Sequence, residues 1–445
     1  MEKDIFGCKI KKLKEYFLQN SFVKRTLKGD VFFRFSCSML VSRVVTMSSS
    51  IMVLRWIDPA SMGIWQGLLL AQSYFEIMRL GIVRGLNREL PYLLGSGDFK
   101  QAQEVASTAL FYSIFVGLVG LLLFLAAPFV FHLTSKEWLT GLISMGIIWA
   151  SASMSSYLQA TFRAQTDFKT LANIQLIEAG LYVITLYLVA MWGYTGMAIR
   201  ATTVPIVVTF LFYRMRPLRV PSRFSGVCFK RLVKTGMPIF FASILYTFAM
   251  GFDRLILLQY GQIELLGFYA PVAAIISLTM SLQTSFSSYG NPRMAFRFGK
   301  HNKLAPIWRD SLLIAMAAVV VSIPIAIGGW LTIPFTIDKF FPQYVQAKAA
   351  IQLTLLASIL WAVKTANVSL YVLKSWRYLY LYMGVFALTK YLFPYYFAKQ
   401  MDPLTGVALG GLIASFVMAI VAFLTTYLST HFDSHVAIPA EVRTP

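Results

Sequence analysis

The chain has 445 residues, 57% of them hydrophobic and 13% charged, whereas a soluble domain carries about 45–50% apolar and about 25% charged residues. An apolar excess of this size cannot be hidden inside a water-facing fold, so the composition excludes an ordinary soluble domain. The net charge of +21, from 40 Lys and Arg against 19 Asp and Glu, suits either nucleic acid or an anionic lipid surface. In so apolar a chain the lipid surface is the expected partner and nucleic acid is not.

The first 30 residues are basic. Phe6, Ile10, Leu13 and Phe17 recur at helical spacing among lysines, which fits either a helix lying in the membrane interface or a solvated basic tail. No small-residue cleavage site follows, so a cleaved signal is not expected. A helix needs roughly 20 apolar residues to cross a bilayer. Twelve stretches meet that measure, at residues 31–54, 62–80, 105–131, 139–162, 171–190, 194–213, 236–260, 265–287, 310–330, 349–373, 378–397 and 404–429.

The predicted fold is therefore an all-α polytopic membrane protein of about twelve transmembrane helices in two six-helix lobes, related by a pseudo-two-fold axis along the membrane normal. The expected organisation is a basic segment at 1–30, a first lobe at 31–213, a basic linker at 214–235, a second lobe at 236–429 and a tail at 430–445. The linker holds Arg214, Arg216, Arg219, Arg223, Lys230, Arg231 and Lys234 with no acid among them. Together with the basic N-terminus it predicts that both termini lie in the cytoplasm.

The two lobes repeat in sequence. The run from Leu54 to Trp65 and the run from Leu258 to Tyr269 align at an offset of 204 residues, which pairs Trp56 with Tyr260, Gly63 with Gly267, Trp65 with Tyr269 and Ser107 with Ser311. An offset spanning six helices makes the halves parallel repeats, which places a transport site between them near the midplane.

Arg55-Trp-Ile-Asp-Pro-Ala-Ser-Met-Gly-Ile-Trp65, Arg88-Glu-Leu-Pro-Tyr-Leu-Leu-Gly-Ser-Gly-Asp98 with Ala102, and Asp253-Arg254-Leu-Ile-Leu running on to Gly267-Phe-Tyr269 resemble the corresponding segments of Wzx-type polysaccharide flippases. These belong to the polysaccharide transporter family of the multidrug/oligosaccharidyl-lipid/polysaccharide (MOP) exporter superfamily. The resemblance implies two lobes around a V-shaped cavity. It also implies flipping of undecaprenyl-diphosphate-linked oligosaccharide across the bacterial inner membrane, with membrane lipids, a polysaccharide polymerase and chain-length proteins as partners. It reads the Arg88–Asp98 segment as a loop. No enzymatic activity follows from it.

Ionisable groups at bilayer depth are costly and mark candidate sites. Arg43 shares a polar stripe with Thr46 and Ser50, Arg254 follows Asp253 in the seventh span, and Lys364 lies beyond Thr354, Ser358 and Trp361 in the tenth. Arg200 and Lys390 lie in the sixth and eleventh spans, and Arg55 at the outer edge. Arginine grips phosphate oxygens in pairs and lysine offers a point charge, so these cations are candidate ligands of a lipid diphosphate, with Tyr246 and Trp361 as stacking faces for sugar. Structural ion pairs and snorkelling are the bland alternatives. Glu76, Glu178 and Asp253 are candidate ion-coupling carboxylates, or else neutralise nearby cations. Pro205, Pro271, Pro324 and Pro394 are candidate bending points.

Three cysteines (Cys8, Cys37, Cys228) and four histidines (His132, His301, His431, His435) are too scattered for a metal site. The i,i+4 pair His431 and His435 belongs to the tail, and no metal or cofactor is expected. Two alternatives remain at this stage. A multidrug exporter would want an acidic cavity, while intramembrane cations here outnumber acids about two to one. A polysaccharide polymerase or ligase would need a larger external loop than the longest one expected, residues 332–347.

Overall fold

The chain forms fourteen α-helices among the described residues, with no strand. The computed structural model describes residues 29–301, 305–373 and 375–431, so the N-terminal amphipathic stretch and the His435 end of the tail lie outside them. In order the helices are α1 (Gly29–Val53), α2 (Pro59–Phe75), α3 (Ile82–Gly95), α4 (Phe99–Val130), α5 (Lys136–Ala164), α6 (Phe168–Ile184) and α7 (Leu186–Met215), then α8 (Gly226–Leu258), α9 (Ile263–His301), α10 (Ala305–Phe340), α11 (Lys348–Val363), α12 (Val368–Val372), α13 (Trp376–Gln400) and α14 (Pro403–His431).

Short turns end in side chains that cap the next helix. Asp58, Asp98 and Asp167 accept from the backbone N–H of Ser61, Gln101 and Thr170, at 2.8, 3.0 and 3.2 Å. Each satisfies one of the helix-start donors that would otherwise be left open. Eight described segments are long and apolar enough to cross a membrane. With α1, α2, α6 and α13 they match the twelve expected spans one for one. The large apolar side chains left exposed, such as Leu122, Phe129, Val320 and Phe335, are the surface that lipid covers.

The six-helix repeat is visible in the packing. In the first lobe α1 pairs with α6, α4 with α5, and α7 with both α5 and α6. The second lobe pairs the equivalent helices, α8 with α13, α10 with α11, and α14 with both α11 and α13. The lobes meet where α2 crosses α9. There a Cβ on Gly63 would lie 2.0 Å from the Ile263 carbonyl, and one on Gly267 would lie 1.8 Å from the Pro59 carbonyl. Ile263 is the 204-residue partner of Pro59, as Gly267 is of Gly63, so the two halves of the contact are the same contact exchanged. The axis passes through this crossing, and only the absence of side chains lets the backbones touch.

Several boundaries differ from the sequence expectation. Residues 88–95 are not a loop: α3 is an amphipathic helix, with Ile82, Leu86, Leu90, Leu93 and Leu94 buried. At 14 residues it is too short to span, and its Arg84, Arg88, Glu89 and Pro91 disguise it. The break before it falls at Leu80 and Gly81, both left-handed in backbone. The linker is shorter than expected because α8 begins at Gly226. The expected external loop at 332–347 is mostly helix, since α10 continues to Phe340 and a 3-10 helix covers Pro342–Ala347. The tenth span is interrupted by a 3-10 turn at Lys364–Asn367. The fifth span is shorter than expected, because α6 ends at Ile184 and α7 bends at Gly193 (φ 52°).

The first half of α8 belongs by packing to the opposite lobe. Cys228 and Leu232 sit in one apolar core with Ile82, Leu86, Val105 and Phe212, whereas Ile256 and Leu257 sit in the core built by α9, α11 and α14.

Candidate functional site

A cavity of about 350 Å³ lies between the lobes. Its walls come from α1 (Thr46, Met47, Ser50), α2 (Trp65, Gln66), α6 and α7 (Tyr182, Arg200) of one lobe, and from α8 and α9 (Arg254, Ala273, Ser277) of the other. Two guanidinium groups, one from each lobe, therefore share one space, and no carboxylate is among the described residues that line it.

The two arginines are held differently. Arg200 is buried, at 5% exposure. Its Nη2 donates to Ser49 Oγ at 2.6 Å and its Nε to the Tyr182 carbonyl at 3.2 Å, while Ser49 Oγ donates to that same carbonyl at 2.7 Å. Its guanidinium also lies 4.9 Å from the Tyr182 ring centroid. The charge is thus fixed in place by α1 and α6. Arg254 is half-buried, and its Nε is a buried donor with no acceptor among the described residues. Gln66 Oε1 on the opposite wall is a buried acceptor in the same condition. A buried donor without a partner is expensive, so the cavity is built for a ligand that carries acceptors.

Asp253 does not share Arg254's side of α8, because adjacent helical residues do not face each other. It turns into the second lobe, where its Oδ2 accepts from Lys390 Nζ at 2.6 Å and from the Tyr269 hydroxyl at 2.7 Å. Asp253 and Lys390 are each 2% exposed. Lys390 is therefore a buried ion-pair partner and does not reach the inter-lobe cavity. Lys364 Nζ lies 3.8 Å from the Tyr246 ring centroid, in a smaller pocket of the second lobe that Trp361 also lines.

The remaining sequence candidates scatter. Arg43 is exposed on α1, one turn before Met47 on the cavity-facing stripe, and its charge acts on Glu178 of α6. Arg55 is exposed in the α1–α2 turn. Glu76 lies in the 3-10 turn after α2 and pairs with Arg79 at 3.0 Å, and Arg79 in turn sits over Trp149 at 4.6 Å. Gln66, Tyr182 and Ser277 are not singled out by the sequence, and Trp65 only as part of the repeat and of the family-like segment. Gln66 leaves a signal there, an amide between Trp65 and the apolar run Gly67-Leu-Leu-Leu-Ala71.

The lobes also touch at both ends of the bundle. Beyond the cavity, at the end bearing the α1–α2 turn, Gln343 Nε2 donates to the Leu54 carbonyl at 2.7 Å and the Tyr344 hydroxyl to the Ile57 carbonyl at 3.0 Å. At the linker end Arg231 Nε donates to Glu89 Oε2 at 2.7 Å, and Thr235 Oγ1 to Glu89 Oε1 at 2.9 Å. Arg231 Nη1 also reaches Gln101 Oε1, at 2.7 Å.

Residues 97–343, more than half the chain, match the family described as "polysaccharide biosynthesis protein". The chain belongs to that family. As a polysaccharide biosynthesis protein it has the fold of the MOP superfamily. It is similar to an inward-facing multidrug resistance MATE family transporter, with a TM-score of 0.72 at 14% identity, over 89% of this chain and 98% of that one. The outward-facing form of such a transporter aligns at a TM-score of 0.64 and 16% identity, over 90% and 95%. A MOP superfamily transporter from Pyrococcus furiosus, described as having a binding pocket of reverse polarity that suggests a different function, aligns at 0.65 and 16%, over 90% and 95%. No curated protein matches in sequence. The chain is thus a multi-pass membrane protein with two lobes around a cavity that both Arg200 and Arg254 line.

Proposed function

We propose that the protein is a flippase for polyprenyl-diphosphate-linked oligosaccharide, the repeat unit of an O-antigen or exopolysaccharide, carrying it from the cytoplasmic to the periplasmic leaflet of the inner membrane. The observation that carries this reading is the pair of arginines, one from each lobe, in a cavity whose described lining has no acid. A diphosphate cannot enter hydrocarbon unless its charge is answered, and guanidinium groups answer it with paired hydrogen bonds. Arg200 supplies a fixed charge. Arg254 supplies a buried Nε donor that has no acceptor among the described residues. The membership in a polysaccharide biosynthesis family names the biological context, and the MOP fold supplies two lobes able to rock about a central site.

The cycle follows from the placement. The lipid tail stays in the bilayer while headgroup and sugars occupy the cavity. The linker end faces the cytoplasm, as its arginines and lysines require, and loading occurs from that side. A net direction needs a bias. Glu178, near Arg43 and one helical turn from the cavity residue Tyr182, is the carboxylate placed to carry a coupling proton, because Asp253 and Glu76 are already engaged by Lys390 and Arg79.

The test is translocation in proteoliposomes. A short-chain polyprenyl-diphosphate disaccharide is loaded in one leaflet and its appearance in the other is read by a glycosidase confined to that side. Wild-type protein is expected to move it and Arg254→Ala to lose at least about 90% of the rate, the loss of one charge-assisted contact. Transport of ethidium with no movement of the lipid-linked sugar would overturn the proposal in favour of a drug exporter.

A further inference from the structure

The repeat is broken at the end of the bundle that bears the α1–α2 turn. In the first lobe residues 131–135 join α4 to α5, which starts directly after its Ser135 cap. In the second lobe the equivalent α10 is 36 residues long against 32 for α4. Residues 341–347, all but the first of them in a 3-10 helix, then lead into α11. This longer connection crosses to the other lobe. Phe341 and Tyr344, at 8% and 1% exposure, are buried in a core that is otherwise almost wholly the first lobe's, with Val53, Leu54, Ile57 and Trp65. Among the described residues, the core built by α9, α11 and α14 takes nothing from the first lobe in return.

Hydrogen bonds complete the crossing. A helix leaves its last carbonyls without an intrahelical donor. After α1 the N–H groups of Leu54, Arg55 and Trp56 turn back to the Ile51, Met52 and Val53 carbonyls, which leaves the carbonyls of the turn itself open. Gln343 Nε2 donates to two of these, Leu54 at 2.7 Å and Arg55 at 3.2 Å, and the Tyr344 hydroxyl donates to a third, Ile57 at 3.0 Å. The Tyr344 ring also meets Phe268 of its own lobe edge-on, at 6.4 Å. Leu54 lines the inter-lobe cavity together with Val53, Met62 and Ala270, so the segment adjoins the cavity at this end. At the 204-residue offset Gln343 and Tyr344 correspond to Leu139 and Thr140. Leucine carries no donor and the threonine hydroxyl stands on Cβ, so neither has the reach of the glutamine amide or the tyrosine hydroxyl.

We propose that residues 341–347 are a one-sided gate: a strap of the second lobe that closes the cavity at the turn end and must lift off the α1–α2 turn before cargo passes there, with no matching strap from the first lobe. The chemistry suits a contact made and broken in every cycle. All three hydrogen bonds join neutral groups, so parting them strands no charge. The turn they hold is exposed at Arg55, and water can replace the lost donors on its carbonyls. The Phe341 and Tyr344 rings, which leave an apolar core on opening, supply the resistance. The gate does not depend on what the cargo is.

The experiment uses the full chain with Cys8, Cys37 and Cys228 replaced by alanine and one new cysteine at a time. Ser277→Cys reports on the cavity that Ser277 lines. Arg55→Cys, in the exposed turn, identifies which side of the membrane is the turn end. Reaction with a membrane-impermeant methanethiosulfonate is timed from each side, in spheroplasts and in inverted vesicles. Tyr344→Phe keeps the ring and removes one bond, and Gln343→Leu removes two. Each should raise the Ser277→Cys rate from the turn side by about two- to tenfold, and the pair together by more, with no rise from the linker side. Thr140→Val, at the corresponding place in the first lobe, should leave both rates as they were. An unchanged turn-side rate in the double variant overturns the gate. So does an equal rise from both sides, which marks a general loosening of the bundle. A rise with Thr140→Val as large as that with Tyr344→Phe overturns its one-sidedness.

Discussion

Replacing Gly267 by alanine tests the crossing on which the two lobes turn. A Cβ at that position would stand 1.8 Å from the Pro59 carbonyl oxygen, and real Cβ atoms essentially never approach closer than 3.0 Å. The neighbour is backbone, so α2 and α9 must separate locally by at least about 1.2 Å for the methyl group to fit. Overpacking of this kind costs about 1–3 kcal/mol, which shifts a two-state equilibrium by about 5- to 150-fold toward whichever state has the crossing open. Gly63→Ala should match it, because its Cβ meets the Ile263 carbonyl at 2.0 Å in the symmetry-equivalent contact. Spin labels at Arg55 and Gln262, exposed positions on opposite lobes at the same end, would read the change as a longer inter-label distance or a second population. An unchanged distance distribution and an unchanged melting temperature in both variants would refute the assignment of this crossing as the close contact between lobes.

The buried ion pair gives a second prediction. Lys390→Met should destabilise by about 3–5 kcal/mol because it strands the Asp253 carboxylate, and adding Asp253→Leu should recover most of that loss; thermal melts in detergent check both. The arginines should separate by readout. Arg254→Gln should weaken farnesyl diphosphate binding about tenfold or more with little change in melting temperature. Arg200→Gln should lower both, since Arg200 also ties α1 to α6 through Ser49 and Tyr182. Glu178→Gln should leave binding intact and abolish the stimulation of transport by a proton gradient. Normal stimulation in that variant would place the coupling group elsewhere.

Much of the architecture was legible because bilayer thickness imposes one length on every crossing segment, and each of the twelve apolar stretches became a helix or most of one. The internal offset of 204 residues was legible for a related reason: Gly63 and Gly267 are both required to be small at the crossing they share. α3 was hidden because an interfacial helix need only be amphipathic, and its Arg88, Glu89 and Pro91 look like a loop. The site was legible in part. Depth in the sequence identified Arg200 and Arg254, but depth says nothing about azimuth. Lys390, at the same kind of depth, turns inward to Asp253, and Arg43 lies one turn short of the cavity. Gln66 carries no charge and shares its span with Gln72 and Glu76, so its signal in the sequence is weak.

The sharing of α8 between two cores bears on how the chain can be divided and made. By symmetry the boundary is the linker, yet Cys228 and Leu232 complete the core of the first lobe. A ribosome that has extruded only residues up to the linker has produced seven helices with an unfilled groove against Ile82 and Leu86, so that lobe cannot finish packing until the start of the next helix emerges. The same logic governs a split protein. Two co-expressed pieces cut inside residues 216–225 must find each other to fold, whereas a first piece extended through Leu232 would carry its own missing wedge.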